Sequence, residues 1–351
     1  MIEDGKLVTA MAEKKYKLLI KEPGNLNDVE KKFISENSKY FQSVDWANIK
    51  FKLGKQPKFI LLYEENEMKN SWLFFTLELK LIFFRCQEIR LETEPIFYEN
   101  ADRMLNFLID YCKKNKYDNI LFQTNMTNWT INLNDYPINF SNIENFGTHI
   151  IDLNHDLSDI YKNMHKKHRN MIKKATKMQY YVVEEKSDEA LHRFFTLVNE
   201  TYRRSKKFGC SKEYLKNILS SEYSRLFFCY SSKSILAASA LIMGNKKQAY
   251  YLHGGSIVNS EGASNLLHWY IIKQLKEEGY KKYDFGGVSY DPHPKSKAYG
   301  IKIFKSRFGG GFVHTYRGEI IINKTKARLL FILRKIYNNS YYLQKMFYTR
   351  N

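Results

Sequence analysis

"LLHWYIIKQLKEEGYKKYDF", Leu266 to Phe285, repeats the pattern of "MLNFLIDYCKKNKYDNILF", Met104 to Phe122. Each stretch is an apolar helix with a basic last turn, a tyrosine after it, and a short strand ending in phenylalanine. One residue of adjustment aligns them. In the first copy Met104, Leu105, Leu108 and Ile109 recur at helical spacing, and Asn100 stands where a cap belongs. A helix–strand unit that recurs once, far along the chain, predicts two copies of one α/β module.

The flanking sequence agrees. Before the first copy come "FILLY" (Phe59 to Tyr63) and "WLFFTLELKLIFFR" (Trp72 to Arg85). Before the second come "SRLFFCY", "SILAASALIM" and "QAYYLHGGS", between Ser224 and Ser256. Their aromatic and branched residues predict strands. Strands, then a helix, then a strand suit a mixed, largely antiparallel sheet better than a doubly wound dinucleotide fold. The expected fold class is therefore α/β (α+β), with helices flanking each sheet. A chain of 351 residues suits two domains. We place them at 1–150 and 151–322, followed by an amphipathic helix at 323–351. "SDEALHRFFTLVNETYRRS" adds a helix with Ser187 at its cap and acids in its first turn.

Composition narrows the function. The net charge is +19, which predicts a polyanionic partner: nucleic acid, a phosphorylated substrate or an anionic membrane surface. The four cysteines are scattered without CxxC spacing and read as reduced core residues. The N-terminus lacks an apolar core, and Glu78 and Lys80 interrupt the most apolar run, so neither a signal peptide nor a membrane span is expected. A cytoplasmic monomer is the expectation. The basic, apolar-striped terminal helix offers a peripheral contact with the inner membrane face.

No phosphate loop, dinucleotide fingerprint, HExxH or GxSxG motif is present. His165 and His168 share a helix face, but Lys166, Lys167 and Arg169 would repel a cation, so no metal is expected. The residues alone lead to a basic, two-module α/β protein acting on anions.

Five stretches, in order, carry a resemblance: "FQSVDWANIK" from Phe41, "MHKKHRNMIKKATKMQYYVVEE" from Met164, "TYRRSKKFGCSKEYL" from Thr201, "AYYLHGGS" from Ala249, and "YDFGGVS" followed by "GIKIFKSRFGGG" from Gly300. Together they resemble the FemABX peptidyltransferases, part of a superfamily that also holds acyl-CoA-dependent N-acyltransferases. The resemblance implies two GNAT-like domains, with the helix at 323–351 packing back on the first. It implies transfer of an amino acid from charged tRNA to the amine of a nucleotide- or lipid-linked peptidoglycan precursor. No further cofactor is implied; acyl-CoA would be the donor in the alternative, acting on an amino sugar or surface polysaccharide. No stretch has the heptads of the coiled-coil arm some members carry, so the chain resembles the compact form.

The resemblance also assigns residues. Lys305 would stabilise the oxyanion, with Phe304 beside it. Lys50 and Arg204 would meet phosphates, with Arg203 adjacent to the latter. Tyr214, Tyr250 and Tyr251 match channel tyrosines; strand alternation sends Tyr250 and Tyr251 to opposite faces, and we assign Tyr251. The helix bearing Lys166, Lys167, Arg169, Lys173 and Lys174 is the candidate tRNA face. Asp284 is a candidate base, or a strand-end acceptor of backbone hydrogen bonds. Gly309 to Gly311 follow a helix and read as its stop, not as a phosphate cradle.

Overall fold

A computed structural model describes residues 2–3, 6–7, 16–81, 84–124, 139–205, 209–326, 329 and 332. In chain order the elements begin with two two-residue strands, β1 (Ile2–Glu3) and β2 (Lys6–Leu7). Next are β3 (Tyr16–Lys21), α1 (Asp28–Asn37), α2 (Val44–Lys52), β4 (Gln56–Glu64), β5 (Glu67–Leu81), β6 (Phe84–Leu91), α3 (Ala101–Lys114) and β7 (Asn119–Thr124). Then come β8 (Asn139–Asp152), α4 (Leu157–Asn163), α5 (Lys166–Lys177), β9 (Tyr181–Glu184), α6 (Asp188–Arg204) and α7 (Lys212–Leu219). The remainder is β10 (Ser224–Tyr230), β11 (Leu236–Asn245), β12 (Gln248–Ser256), α8 (Ala263–Glu277), β13 (Lys282–Ser289), α9 (Lys297–Ser306) and β14 (Gly311–Ile321). The terminal helix expected at 323–351 lies mostly outside the described residues.

Contacts divide the chain into Met1–Asn145 with Thr315–Asn351, and Phe146–His314. In the first unit the strand order is β3-β4-β5-β6-β7-β14. All neighbours are antiparallel except β6 and β7, which are parallel. In the second unit the order is β9-β10-β11-β12-β13-β8, again antiparallel except for β12 with β13. In each unit two helices follow the first strand, and a helix makes the parallel crossover between the fourth strand and the fifth.

The duplicated stretches fill equivalent places. The α3 helix buries Met104, Leu105, Leu108, Ile109 and Cys112 and leaves Asp110 and Lys113 in solvent. The α8 helix buries Leu267, His268, Ile271, Ile272 and Leu275. Both end alike: Tyr117 N–H bonds Cys112 O, and Tyr280 N–H bonds Leu275 O, each at 2.9 Å. The residue before each tyrosine is left-handed, Lys116 at φ 58° and Gly279 at φ 81°. The sixth strand then docks equivalently, Ile322 N–H on Asp118 O at 3.0 Å and Leu153 N–H on Lys281 O at 2.9 Å.

Central strands explain the long apolar runs. Phe59 to Leu62 on β4, and Ala237 to Gly244 on β11, are buried throughout, as strands covered on both faces must be. Capping matches the sequence at α6, where Ser187 Oγ accepts from Ala190 N–H at 3.1 Å. It does not at α3: Asn100 precedes the helix in a left-handed conformation and makes no side-chain cap bond.

Candidate active site

The site grows from a place where the second sheet opens. In the first unit β6 and β7 pair over four residues, Glu88 to Leu91 with Asn119 to Phe122. In the second, β12 and β13 pair at only two positions, Ala249 with Tyr283 and Tyr250 with Asp284. Register shifts accompany the split, at Leu241/Ile242 on one side and between Asp284 and Gly287 on the other. Such bulges bend a strand and end its pairing. Gly286 makes the turn, with φ at +70° and a missing Cβ that would sit 2.8 Å from Tyr251 O. Both facts favour glycine there.

Lys305 enters this opening. It projects from α9, which Ser296 caps by accepting from Tyr299 N–H at 3.2 Å. Gly309, at φ 84°, follows the helix, so these glycines are its stop. Although a lysine, Lys305 is only 9% exposed. Its Nζ donates to Gly286 O at 3.0 Å and Gly287 O at 3.1 Å, and lies 5.8 Å from the Tyr251 ring. These two acceptors are neutral carbonyls that fix the ammonium in place.

Asp284 holds that backbone in place. It accepts from Gly286 N–H at 2.8 Å, from Gln248 Nε2 at 2.8 Å and from the Thr148 hydroxyl. The Thr148 oxygen also lies 3.0 Å from Gly286 O, so its one proton is shared between the two acceptors. A carboxylate so engaged and 6% exposed is an anchor for the turn that carries the lysine's acceptors. Of the two roles the sequence left open, the strand-end acceptor is the one these bonds fit.

Around the lysine stem lies an aromatic shell. The Tyr251 ring meets His268 edge-on at 4.6 Å, and burial pushes the phenol up to about 12. His268, buried with Lys305 and His168 adding repulsion, is pushed down to about 3 and shares a 2.8 Å bond with Tyr283 OH. His168 is also held neutral, down to about 4, chiefly by burial. Its Nε2–H donates to Phe304 O at 2.9 Å. The Phe304 ring packs on His168, His268 and Phe308, so it belongs to the wall of the lysine's slot. Among the described residues there is no cluster able to hold a metal.

The other sequence candidates are placed as follows. Tyr214 OH bonds His253 Nε2 at 3.1 Å, and Tyr202 OH bonds the ring's other nitrogen at 2.7 Å. Arg204 bonds Thr201 Oγ1 at 3.0 Å and the carbonyl of Ser256 at the end of β12. In the first unit Lys50 pairs with Glu92 at 2.7 Å and lies 4.7 Å from the Trp46 ring. On α5, Lys166, Lys167 and Lys173 are exposed, Lys174 pairs with Glu261, and Arg169 bonds the carbonyls of Lys162 and Met164 at the end of α4. The sequence reading passed over His253, His268, Thr148 and Gln248. Only a three-dimensional partner distinguishes these from ordinary core and strand residues.

Comparison with known proteins follows this geometry. Residues 162–296 match the family model of the acetyltransferase (GNAT) domain. The crystal structure of FemX superposes with a TM-score of 0.68 over 85% of this chain and 96% of that one, at 16% identity. This chain shares the GNAT-related fold of FemX. A tandem GNAT protein from the clavulanic acid pathway aligns at TM-score 0.52 and 8% identity, over 87% of this chain and 98% of that one. In sequence, the lipid II:glycine glycyltransferase of Staphylococcus epidermidis is 29% identical over 109 residues, 28% of this chain and 26% of the relative. That of Staphylococcus aureus is 32% identical over 91 residues, 25% of this chain and 20% of the relative. The chain thus matches about a quarter, or less, of the length of these curated relatives. Among its described residues no helix is long and apolar enough to cross a membrane.

Proposed function

We propose that this protein transfers an aminoacyl group from charged tRNA to an amine on the peptide of a peptidoglycan precursor. The observation that carries the reading is the buried Lys305 ammonium, fixed by two carbonyls in the opening between β12 and β13. The likeness to lipid II:glycine glycyltransferases supports the substrate class.

The chemistry asks little of the protein beyond placement. An aminoacyl ester is already activated. The acceptor amine attacks the ester carbonyl, a C–N bond forms and the carbonyl oxygen becomes an oxyanion. Collapse breaks the C–O bond to the ribose, and the proton from the amine ends on the departing ribose oxygen. The step that needs help is the oxyanion, and a fixed cation in a poorly hydrated site supplies it without reorganisation. Tyr251 and the histidine–phenylalanine wall hold the lysine stem. Arg204 and Tyr214 are the proposed contacts to the anionic precursor in the second unit, and Lys50 is a proposed phosphate contact of the first. Lys50 must then exchange Glu92 for a phosphate.

The test is transfer of a labelled amino acid from tRNA to a lipid- or nucleotide-linked precursor. Incorporation is expected with wild type and not with Lys305→Ala. Absence of transfer with every charged tRNA, on both precursor forms, overturns the reading.

The family-model match favours one second reading, acyl-CoA-dependent N-acylation of an amino sugar or surface polysaccharide. Thermal stabilisation by CoA, and none by charged tRNA, is its signature. The loop "IVNSEGAS" after β12 lacks the RxxGxG/A pattern that would cradle the CoA pyrophosphate, which counts against it.

A further inference from the structure

A second concavity lies away from Lys305, in the helical layer of the second unit. Its volume is about 600 Å³, and its walls come from α4, α5 and α8. Tyr161 and Trp269 form one side, their rings 5.2 Å apart and inclined at 49°. Ile172 forms the floor, and Lys173, Thr176 and Lys177 form the rim. Tyr161 and Trp269 are partly exposed, and both lysines are exposed. Nothing in the transfer chemistry above uses this groove.

Its chemistry identifies an occupant. Two partly buried aromatic rings beside two exposed cations suit a planar group attached to an anion. Lys173 and Lys177 stand one helical turn apart, about 6 Å along the axis. Lys166 and Lys167 continue the positive charge toward the N-terminus of the same helix. Of the nearby acids, Glu261 pairs with Lys174 and Asp159 with Lys162, while Asp156 lies exposed beside Leu157. The rim therefore presents a line of positive charge longer than one phosphate requires. A bilayer surface is a poorer match, because membrane-bound helices offer protruding apolar side chains, whereas Tyr161 and Trp269 are partly buried against the core. Basic grooves with aromatic platforms bind single-stranded nucleic acid, each base stacking on a ring while lysines follow the backbone.

We infer that this groove takes one unstacked base of a single-stranded RNA segment, stacked on Trp269 with its phosphates on Lys173 and Lys177. The inference rests on the proposed nucleic-acid co-substrate and assigns that partner a specific seat.

The experiment is fluorescence anisotropy of the full chain with uncharged tRNA and with a labelled ACCA oligonucleotide, across salt concentrations. No amino-acid transfer is needed. Trp269→Ala should weaken binding about 5- to 150-fold, the range for removing a base-stacking ring. Trp269→Phe should retain most of the affinity. Replacing both lysines, Lys173→Ala with Lys177→Ala, should lower the salt slope by about 1.4. Trp269→Ala that melts like wild type and binds both RNAs as wild type does overturns the seat. So does an unchanged salt slope in the lysine variant, which also guards against a Trp269→Ala chain that fails to fold. Loss of anionic-vesicle binding in these variants, with RNA binding intact, overturns it in favour of a lipid groove. Intact RNA binding with no transfer would overturn the proposed reaction and leave the seat standing.

Discussion

The two units share one strand order and one pattern of strand directions, yet only the second opens between its fourth and fifth strands. In the first, β6 and β7 stay paired over four residues. At the position where the second unit has Asp284, facing Ile150, the first has Leu121, facing Glu319. One copy closes its sheet and the other wedges it apart around a cation. A duplicated scaffold thus supplies both a support and a site, and what separates them is a few residues at one strand end rather than the topology.

The sharpest way to break this comparison is at the lysine. Lys305→Ala should cut kcat by about 10²–10³-fold, the scale of removing one oxyanion-stabilising group. Its melting temperature should stay near that of wild type, because the substitution also removes the desolvation cost of a buried ammonium. Equal losses of rate and stability would make Lys305 a structural residue. Next is the anchor. Asp284→Leu, which copies the first unit, should leave Gln248 and Gly286 N–H without an acceptor and cost about 4 kcal/mol in urea unfolding. A change below about 1 kcal/mol would show that the opening holds without it.

All nine histidines lie between His149 and His314, within the second unit. Burial holds His168 and His253 down to about 4, and His268 to about 3. A depressed histidine favours the folded state fully above its unfolded pKa, near 6.5, and that contribution fades as pH falls toward the folded value. His168 alone should account for about 3 kcal/mol lost between pH 6.5 and 4. The first unit has no such group. Its Glu30 is held low, against the cost of burial, by bonds from Lys21, Tyr63 and Asn27, and its contribution fades only below 4.5. Hydrogen exchange at pH 5 should therefore show the second unit losing protection first, and simultaneous loss would contradict this assignment.

The smallest effect compares the two helix ends. Lys116→Gly should stabilise the chain by about 1 kcal/mol, because the left-handed site is strained for any side chain but none for glycine. Gly279→Ala should cost about as much, since only backbone strain and no neighbour opposes a Cβ there. Paired thermal melts would check both.

How far the sequence reached follows from the range of each interaction. The helix–strand duplication was readable because an apolar stripe and a terminal tyrosine are local signals. Lys305 emerged from the FemABX resemblance; composition would have left it one lysine among many. The opening itself was not readable, since a bulge exists only relative to the neighbouring strand. For the same reason Tyr214 gave no sign of His253, nor Lys50 of Glu92, because those partners are some forty residues away. The Asn100 cap failed for a local reason, a backbone conformation that turns the side chain away from the helix.

The place of β14 bears on how the chain is made. Tyr316 to Ile321 complete the first unit by pairing with Asn119 to Thr124, although the whole second unit is encoded between them. At a synthesis rate of about 5–20 residues per second, β7 must wait on the order of 10–40 s for that partner. During the wait its outer edge is a bare row of backbone donors and acceptors, the kind that recruits strands from other chains. The second unit, continuous in sequence, has no such delay. A ribosome that stalls before residue 316 would release a chain with one finished half and one sticky one, so the last strand times the protein's escape from aggregation.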